Sequence, residues 1–242
     1  MSQIKLKHSS GNGSIIAAPA SNPSSDITLK LPSTTGSAGQ VLSVASSNHS
    51  STNAELEFAA AGDYVKISSD SGTSGGAALV FDNLDITTYK AFDFICTFIP
   101  NSDNRNCSFV FRSGGASGSD ISGANYTYGA DGQYPTHNEQ IIARSGETHF
   151  EIAENVGADT EEGIHMEARI HFATSSDPGD LARLTNRIYW NANYRVHTPA
   201  FRNIVGVGVY DLNDTTYPTG FKVSFIGANI DAYTYCLYGI KR

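Results

Sequence analysis

Residues 164–172, IHMEARIHF, alternate between apolar and polar side chains without a break. Every second residue from Ile164 to Phe172 is apolar, and the residues between them are His, Glu, Arg and His. Successive side chains of a β-strand point to opposite faces of the sheet. The stretch therefore predicts a strand of an antiparallel sheet, with one face in the core and one face in water.

Shorter runs of β-branched and aromatic residues with the same alternation recur from residue 62 onward. They are separated by Asn-, Asp- and Gly-rich segments, which predict turns at Asn101–Cys107, Ser145–Gly146, Asn191–Arg195, Asp211–Thr216 and Gly227–Asp231. A long loop is expected over residues 113–129, with a short strand near Tyr126, and a helical turn from Asp177 to Leu184. The predicted strands are Tyr64–Ser68, Ala77–Phe81, Phe92–Phe98, Cys107–Arg112, Ile141–Ala143, His149–Ile152, Ile164–Phe172, Arg187–Trp190, Ile204–Tyr210, Phe221–Ile226 and Tyr233–Ile240.

The composition agrees with an all-β protein. The 242 residues include only 17% charged side chains, and runs rich in Leu, Glu and Lys, which favour helices, are almost missing. About eight to ten strands at hairpin spacing predict an antiparallel β-sandwich of the jelly-roll type. The length suits one such sandwich and an appendage.

The boundary between appendage and sandwich is set by the aromatic residues. Phe58 is the first aromatic residue of the chain, and all the others follow Gly62. Residues 1–61 therefore lack the large apolar side chains that offset the entropy of ordering a chain. We expect an extended N-terminal arm over residues 1–61 and a β-sandwich over residues 62–242.

The arm nevertheless carries short strand patterns of period two, most clearly in residues 26–61, DITLKLPSTTGSAGQVLSVASSNHSSTNAELEFAAA. Strands without a core of their own must bury their apolar side chains against the sandwich, sister chains or another protein. The apolar residues expected to serve attachment or oligomerisation are Ile4, Leu6, Ile15, Ile16, Ile27, Leu29, Leu31, Val41, Leu42, Leu56 and Phe58.

Charge and hydropathy exclude several classes of partner. A net charge of −8 argues against binding to nucleic acid, which requires Lys and Arg to neutralise phosphates. No apolar run approaches the ~20 residues that span a bilayer. The N-terminal MSQIKLKHSS lacks the apolar core of a signal peptide, so synthesis in the cytosol is expected. Cys96, Cys107 and Cys236 have no metal-binding spacing.

The sequence offers little chemistry for catalysis or metal binding. His165, Glu167 and His171 share the polar face of one predicted strand, but residues 165 and 171 lie about 20 Å apart at ~3.3 Å per residue, too far to hold one zinc ion. The segments 101–104 and 211–214 carry oxygen ligands that could suit Ca²⁺, yet Asn and Asp are also common turn formers. Glu161 and Glu162 are adjacent and would point to opposite faces, and no Gly-x-Ser-x-Gly sequence occurs. We expect no cofactor, no metal and no enzymatic activity.

Tyrosines in or beside the predicted loops suggest a surface that contacts a ligand. Exposed aromatic rings next to amides and carboxylates are typical of sugar-binding and protein-binding surfaces. The alternative is that these tyrosines close the ends of the sandwich. The residues are Tyr126, Tyr128, Tyr134, Tyr194, Tyr210 and Tyr217.

Both ends of the chain resemble virion structural proteins of tailed phages, especially cyanophages. The resemblance rests on IKLKHSSGNGSIIAAPASNPSSDITLKLP (residues 4–32), GSAGQVLSV (36–44), ELEFAAAG (55–62) and the closing AYTYCLYGIKR (232–242). These phrases cover about a quarter of the chain. The resemblance implies a short fibre, knob or head appendage with its N-terminus on the particle and a β-sandwich outward, and often a homotrimer.

The resemblance leads to one principal expectation and two alternatives. The chain is expected to be a structural component of a virion, assembled in the host cytoplasm, that contacts other virion proteins and a host surface glycan or protein. One alternative is a capsid decoration protein that binds no host, and another is a glycan-cleaving tip. The sequence leaves open whether the location is the head or the tail.

Overall fold

The structure is a computed structural model that describes residues 3–7, 13–17, 28–37, 40–50, 53–60, 62–133, 140–159, 161–174, 186–196, 200–211 and 217–241. The chain divides into two compact units, Met1–Ala61 and Gly62–Arg242. The described secondary structure is β-strand throughout, apart from one turn of 3-10 helix at Gly115–Ser117. Among the described residues, no helix has the length and apolar composition needed to cross a bilayer. The prediction of an all-β fold is confirmed.

The first unit contains two small sheets. Strands β1 and β2 form an antiparallel hairpin in which Gln3 pairs with Ala17, and β4 and β5 pair antiparallel. Strand β3 pairs with β5 in parallel, on the edge opposite β4. The strands are β1 (Gln3–Lys7), β2 (Gly13–Ala17), β3 (Thr28–Lys30), β4 (Gln40–His49) and β5 (Asn53–Ala60).

The second unit contains thirteen described strands, more than the eight to ten expected, because short strands occur inside predicted loops. The strands are β6 (Tyr64–Gly72), β7 (Leu79–Phe81), β8 (Tyr89–Pro100), β9 (Arg105–Ser113), β10 (Ser119–Asp120), β11 (Tyr126–Gln133), β12 (Gln140–Glu147), β13 (Phe150–Val156), β14 (Gly163–His171), β15 (Arg187–Val196), β16 (Ala200–Tyr210), β17 (Gly220–Phe225) and β18 (Ile230–Lys241).

These strands pair antiparallel and form two layers of one curled sheet. The first layer has the order β6-β18-β8-β14-β15-β16-β11-β12, and the second has the order β13-β9-β17-β7, with β10 paired to β9. A single pair, Val156 with Val196, joins β13 to β15. Most connections, such as β8 to β9 and β16 to β17, cross between the layers, as they do in jelly-roll sandwiches. The predicted antiparallel β-sandwich is confirmed.

The core between the layers is dominated by aromatic rings. Phe94 of β8 meets Phe221 of β17 edge-on with ring centres 5.3 Å apart, and Phe221 stacks on Phe109 of β9 at 5.2 Å. All three side chains are fully buried. Strand β14 behaves as its pattern predicts: its apolar residues are buried, and Glu167 and Arg169 on the opposite face are exposed. Burial of a large apolar side chain contributes about 1.5–3 kcal/mol, so this cluster accounts for much of the stability.

Two glycines of β16 provide room for core rings. A Cβ atom at Gly206 would lie 2.1 Å from Cζ2 of Trp190, and one at Gly208 would lie 2.5 Å from Cε1 of Phe150. Both distances are far below van der Waals contact. The inner face of β16 is therefore specific for glycine at these positions.

The pairing of the strands shows that two predicted hairpin turns do not form hairpins. The turn at Asn101–Cys107 joins β8 to β9, and the turn at Ser145–Gly146 lies at the end of β12, before β13. In each case the two strands belong to different layers and do not pair with each other. Turn residues favour a reversal of the chain, but they do not determine whether the next strand pairs with the previous one or crosses to the other layer.

The predicted turn at Asn191–Arg195 is also wrong, because these residues continue β15 to Val196. The asparagines lie on the outer face of the sheet, where Nδ2 of Asn203 donates hydrogen bonds to Oδ1 of Asn191 at 2.7 Å and of Asn193 at 3.0 Å. Cross-strand hydrogen bonds thus override the turn preference of Asn. Residues 175–185, with the whole of the predicted helical turn, lie outside the described residues.

Candidate functional site

An open groove of about 770 Å³ crosses four neighbouring strands of the first layer: β8, β14, β15 and β16. It lies on the outer face of the layer, and its size falls within the range of small-molecule sites, about 300–1,000 Å³. The side chains that shape it come from the polar positions of the alternating strands. They are Asp93, Glu167, Arg169, His171, Arg187, Tyr189, Asn191 and Val205.

The floor of the groove is partly apolar. Tyr189 of β15 is 43% exposed and Val205 of β16 is 53% exposed, although both are large apolar side chains in the middle of a sheet. Val207, which pairs with Tyr189, is also exposed. An aromatic ring beside branched aliphatic groups gives a flat platform with one polar tip, the Tyr189 hydroxyl.

One wall is a fixed ion pair. The guanidinium of Arg169 donates from Nε and Nη2 to the two carboxylate oxygens of Asp93, at 2.7 and 2.8 Å. The two residues are direct cross-strand neighbours on β14 and β8. A bidentate pair of this kind orients both side chains. The hydrogen bonds to Asp93 raise the pKa of Arg169 above its already high value, so the guanidinium stays charged at all ordinary pH values.

The end of the groove at His171 and Arg187 has a different electrostatic character. These two residues are cross-strand neighbours. The guanidinium carbon of Arg187 lies 5.7 Å from the centre of the Tyr189 ring, and the His171 ring meets the same ring edge-on at 6.1 Å. Within the described residues, no ion pair or hydrogen bond joins Arg187 to another side chain, and its Nε is covered by protein without a partner. Burial lowers the pKa of His171, and the charges of Arg187 and Arg169 lower it further.

The opposite end carries acceptors and amides. The side chain of Glu167 is 64% exposed, and Nε2 of the His165 imidazole lies 3.8 Å from its Oε1. Nδ1 of His165 in turn lies 2.9 Å from Oγ1 of Thr97. Together with Asn191, these groups form a polar end that is preformed by hydrogen bonds along the sheet.

The two histidines flagged by the sequence therefore lie at different ends of one face. His165 contacts Thr97 and Glu167, whereas His171 contacts Tyr189. No group of three or more His, Cys, Asp or Glu among the described residues is arranged to hold a metal ion. The polar side chains of the 101–104 segment bind backbone instead: Asn101 accepts from the N–H of Asn229 and Asp103 from that of Ala158. Residues 212–216 lie outside the described residues.

The predicted tyrosine surface is wrong for four of its six members. Tyr126, Tyr128, Tyr194 and Tyr210 are all buried, with at most 5% of their surface exposed. Tyr217 is partly buried against the same core, and Tyr134 lies outside the described residues. The four buried tyrosines occupy inner positions of β11, β15 and β16, so their rings fill the core and cannot contact a ligand.

Tyr126 illustrates how a buried tyrosine can serve the fold. Its hydroxyl donates to the carbonyl of Ile121 at 2.8 Å and accepts from the N–H of Phe111 at 3.1 Å. Burial raises its pKa well above the usual value. Tyr126 therefore connects the segment that precedes β11 with strand β9. Burial likewise raises the pKa values of the Cys96 and Cys107 thiols, both of which lie in the core.

The apolar residues expected to serve attachment lie on the strands of the first unit. Ile4, Leu6, Ile15 and Ile16 belong to β1 and β2. Leu29, Leu31, Val41 and Leu42 are exposed, as is Val44. Leu56 and Phe58 of β5 are partly buried, and Ile27 lies outside the described residues.

The groove residues Arg187, Tyr189 and Val205 were not singled out by sequence reasoning. Arg187–Trp190 was predicted as a strand, but the run continues as RIYWNANYRV, in which the inner residues Ile188, Trp190 and Ala192 alternate with polar or aromatic outer ones. That alternation, which parallels the one in β14, was the available signal. It places Tyr189 and Asn191 beside Arg169 and Glu167 once the two strands pair.

Comparison of the chain with protein-family models, with curated proteins and with solved structures found no match.

Proposed function

We propose that the chain is a non-enzymatic structural subunit of a phage virion, a short fibre, knob or head appendage that is anchored by its first unit. One observation carries the proposal: apolar side chains of the first unit remain exposed. Leu29, Leu31 and Leu42 are 60%, 77% and 50% exposed, although they lie on or beside paired strands. The resemblance of residues 4–62 and 232–242 to tailed-phage virion proteins supports the same role.

The exposed apolar groups suit assembly into a homotrimer and attachment to a second virion protein. Each large apolar side chain that moves from water into an interface contributes about 1.5–3 kcal/mol. Most large apolar side chains of the sandwich are already buried in its own core, so it gains less from assembly than the first unit does and is free to face outward. Its exposed groove then provides a surface for a molecule outside the particle.

The test of attachment uses particles assembled with a chain that lacks Met1–Pro23. We expect the shortened chain to keep a folded sandwich, measured by circular dichroism and thermal melting, and to be absent from purified particles. The intact chain, produced in the same cells, is the matched control. Normal incorporation of the shortened chain would refute the N-terminal anchor.

Location on the particle distinguishes the appendage from a capsid decoration protein. In an averaged image of the whole particle, we expect density for the sandwich to project outward from a tail or a head vertex. Density spread flat over the capsid lattice would instead support a decoration protein that clamps the shell and binds no host.

A further inference from the structure

We infer that the groove across β8, β14, β15 and β16 binds an acidic glycan, with the carboxylate of a sugar ring on Arg187 and the apolar face of the ring on Tyr189. This inference rests on the proposed outward position of the sandwich. It also assigns a ligand class and a position to the host contact that the virion role implies.

The first argument is the state of Arg187. Its guanidinium is held beside the Tyr189 ring at 5.7 Å, and its Nε is desolvated by protein without an acceptor among the described residues. Because Nε is covered by protein, a carboxylate in the groove would pair with the Nη groups of Arg187, in the planar geometry that guanidinium groups match.

The second argument is the charge balance along the groove. The carboxylate of Asp93 is already occupied by Arg169 in a bidentate pair. Arg187 is therefore the cation that lacks a carboxylate at its end, while Glu167 supplies an acceptor at the other end. Residues 187 and 191 lie about 13 Å apart along β15, at ~3.3 Å per residue. A ligand with one acidic end and a hydroxyl-rich remainder fits this polarity.

The third argument is the platform between the two ends. Tyr189 and Val205 are exposed on the outer face of the sheet, with 43% and 53% of their surface accessible. One face of a pyranose ring is lined by C–H groups, so it can pack on an aromatic ring while its hydroxyls bond to neighbouring polar groups. Asn191 and Glu167 stand beside this platform and can accept or donate such bonds.

The shape of the surface favours a glycan over a second copy of the chain. A stable protein interface buries roughly 800 Å² on each partner and is depleted of charge at its centre. The groove has charged residues at both ends of its apolar floor. A second copy that covered it would bury Arg169, Arg187 and Glu167 together.

The experiment is isothermal titration calorimetry of the intact chain with two acidic probes and with their neutral counterparts. One pair is oligogalacturonate and its methyl ester, and the other is sialyllactose and lactose. We expect at least one acidic probe to bind more tightly than its neutral counterpart. The two pairs distinguish a uronic acid from a sialic acid as the source of the carboxylate.

Variants on the same face locate the site. Arg187→Gln should weaken binding of the acidic probe about tenfold or more, the value expected for a lost charged hydrogen bond, and remove the preference over the neutral probe. Val205→Asp, on an exposed floor position, should repel the acidic probe. The matched controls are Arg195→Gln on β15 and Phe201→Ala on β16, which lie on the outer face away from the groove and should leave binding unchanged.

Each contrary outcome overturns the inference. These outcomes are no binding of either acidic probe at millimolar concentration, equal binding of the acidic and neutral probes, and equal weakening by Arg187→Gln and Arg195→Gln. Loss of self-association in a Tyr189→Ala variant would assign the groove to a second copy. A chain that is incorporated into particles but binds no probe overturns the glycan site alone. A chain that binds the acidic probe but is absent from particles overturns the virion role alone.

Discussion

The two units of the chain share the same alternating patterns, but one buries its large apolar side chains and the other leaves many of them exposed. In residues 62–242, rings such as Phe94 and Phe221 are fully buried between two layers. In residues 1–61, Leu29 and Leu31 are exposed on a three-stranded sheet. The difference lies in side-chain volume and in the number of layers, since a small three-stranded sheet with Phe58 as its one aromatic residue buries little apolar surface of its own.

The one aromatic residue of the first unit emphasises this contrast. The ring of Phe58 lies on the backbone of Gly36, where an added Cβ would be 2.5 Å from Cδ1 of the ring. Ala45 is the buried apolar residue on the neighbouring strand β4. This small contact orders the sheet locally but leaves Leu29, Val41 and Leu42 exposed.

The largest effect is expected from a chain that ends at Asn229. Strand β18 pairs with β6 on one side and β8 on the other, and it buries Ile230 and Leu237 completely. Its loss would cost about 5–10 kcal/mol of apolar burial, comparable with the ~5–15 kcal/mol stability of a domain. We expect the shortened chain to be unfolded by circular dichroism. Cooperative melting near the temperature of the intact chain would show that β18 is peripheral.

The next effect concerns the charge network of the second layer. Arg112 pairs with Asp82 at 2.7 Å and also with Asp120, and side-chain exposure at Arg112 and Asp82 is only 13% and 15%. Arg112→Ala leaves Asp82 buried without its partner, which costs about 3–5 kcal/mol. Urea unfolding measures the loss. The control is Arg195→Ala at the exposed pair with Glu161, expected to cost at most about 1 kcal/mol, and equal losses would contradict the distinction.

A smaller effect is expected at the inner face of β16. Gly206→Ala forces a methyl group into the Trp190 ring, and overpacking of this kind costs about 1–3 kcal/mol. Gly129→Ala on the adjacent strand β11 is the matched control, because its Cβ would meet only a carbonyl oxygen at 3.8 Å. Thermal melting of the two variants should separate them, and an unchanged melting temperature for Gly206→Ala would refute the close packing.

Alternation was sufficient to predict the strands that have one wet face. The burial pattern of β14 agrees with its alternation, and the predicted strands around Leu29, Val41 and Leu56 are present, although both faces of β3 are exposed. The topology was not predictable, because the same Asn, Asp and Gly residues end strands that pair and strands that cross between layers. The Asn191–Arg195 segment was mistaken for a turn because local preference says nothing about the cross-strand partner Asn203.

The site was harder to predict than the fold. Tyr126 and Tyr210 were expected in or beside loops, but they occupy inner positions at the ends of β11 and β16 and are buried in the core. The groove depends on pairs brought together by register, such as Arg169 with Asp93 and His171 with Arg187. The partners in these pairs are separated in sequence, so the strand order is needed before they can be recognised.

The most direct measurement of the difference between the two units is sedimentation velocity of the intact chain and of residues 62–242 at micromolar concentration. If the apolar side chains of the first unit are buried between copies, the intact chain sediments as a trimer and the shorter chain as a folded monomer. The intact 25.8 kDa chain sedimenting as a monomer, or the shorter chain sedimenting as a trimer, would contradict the account.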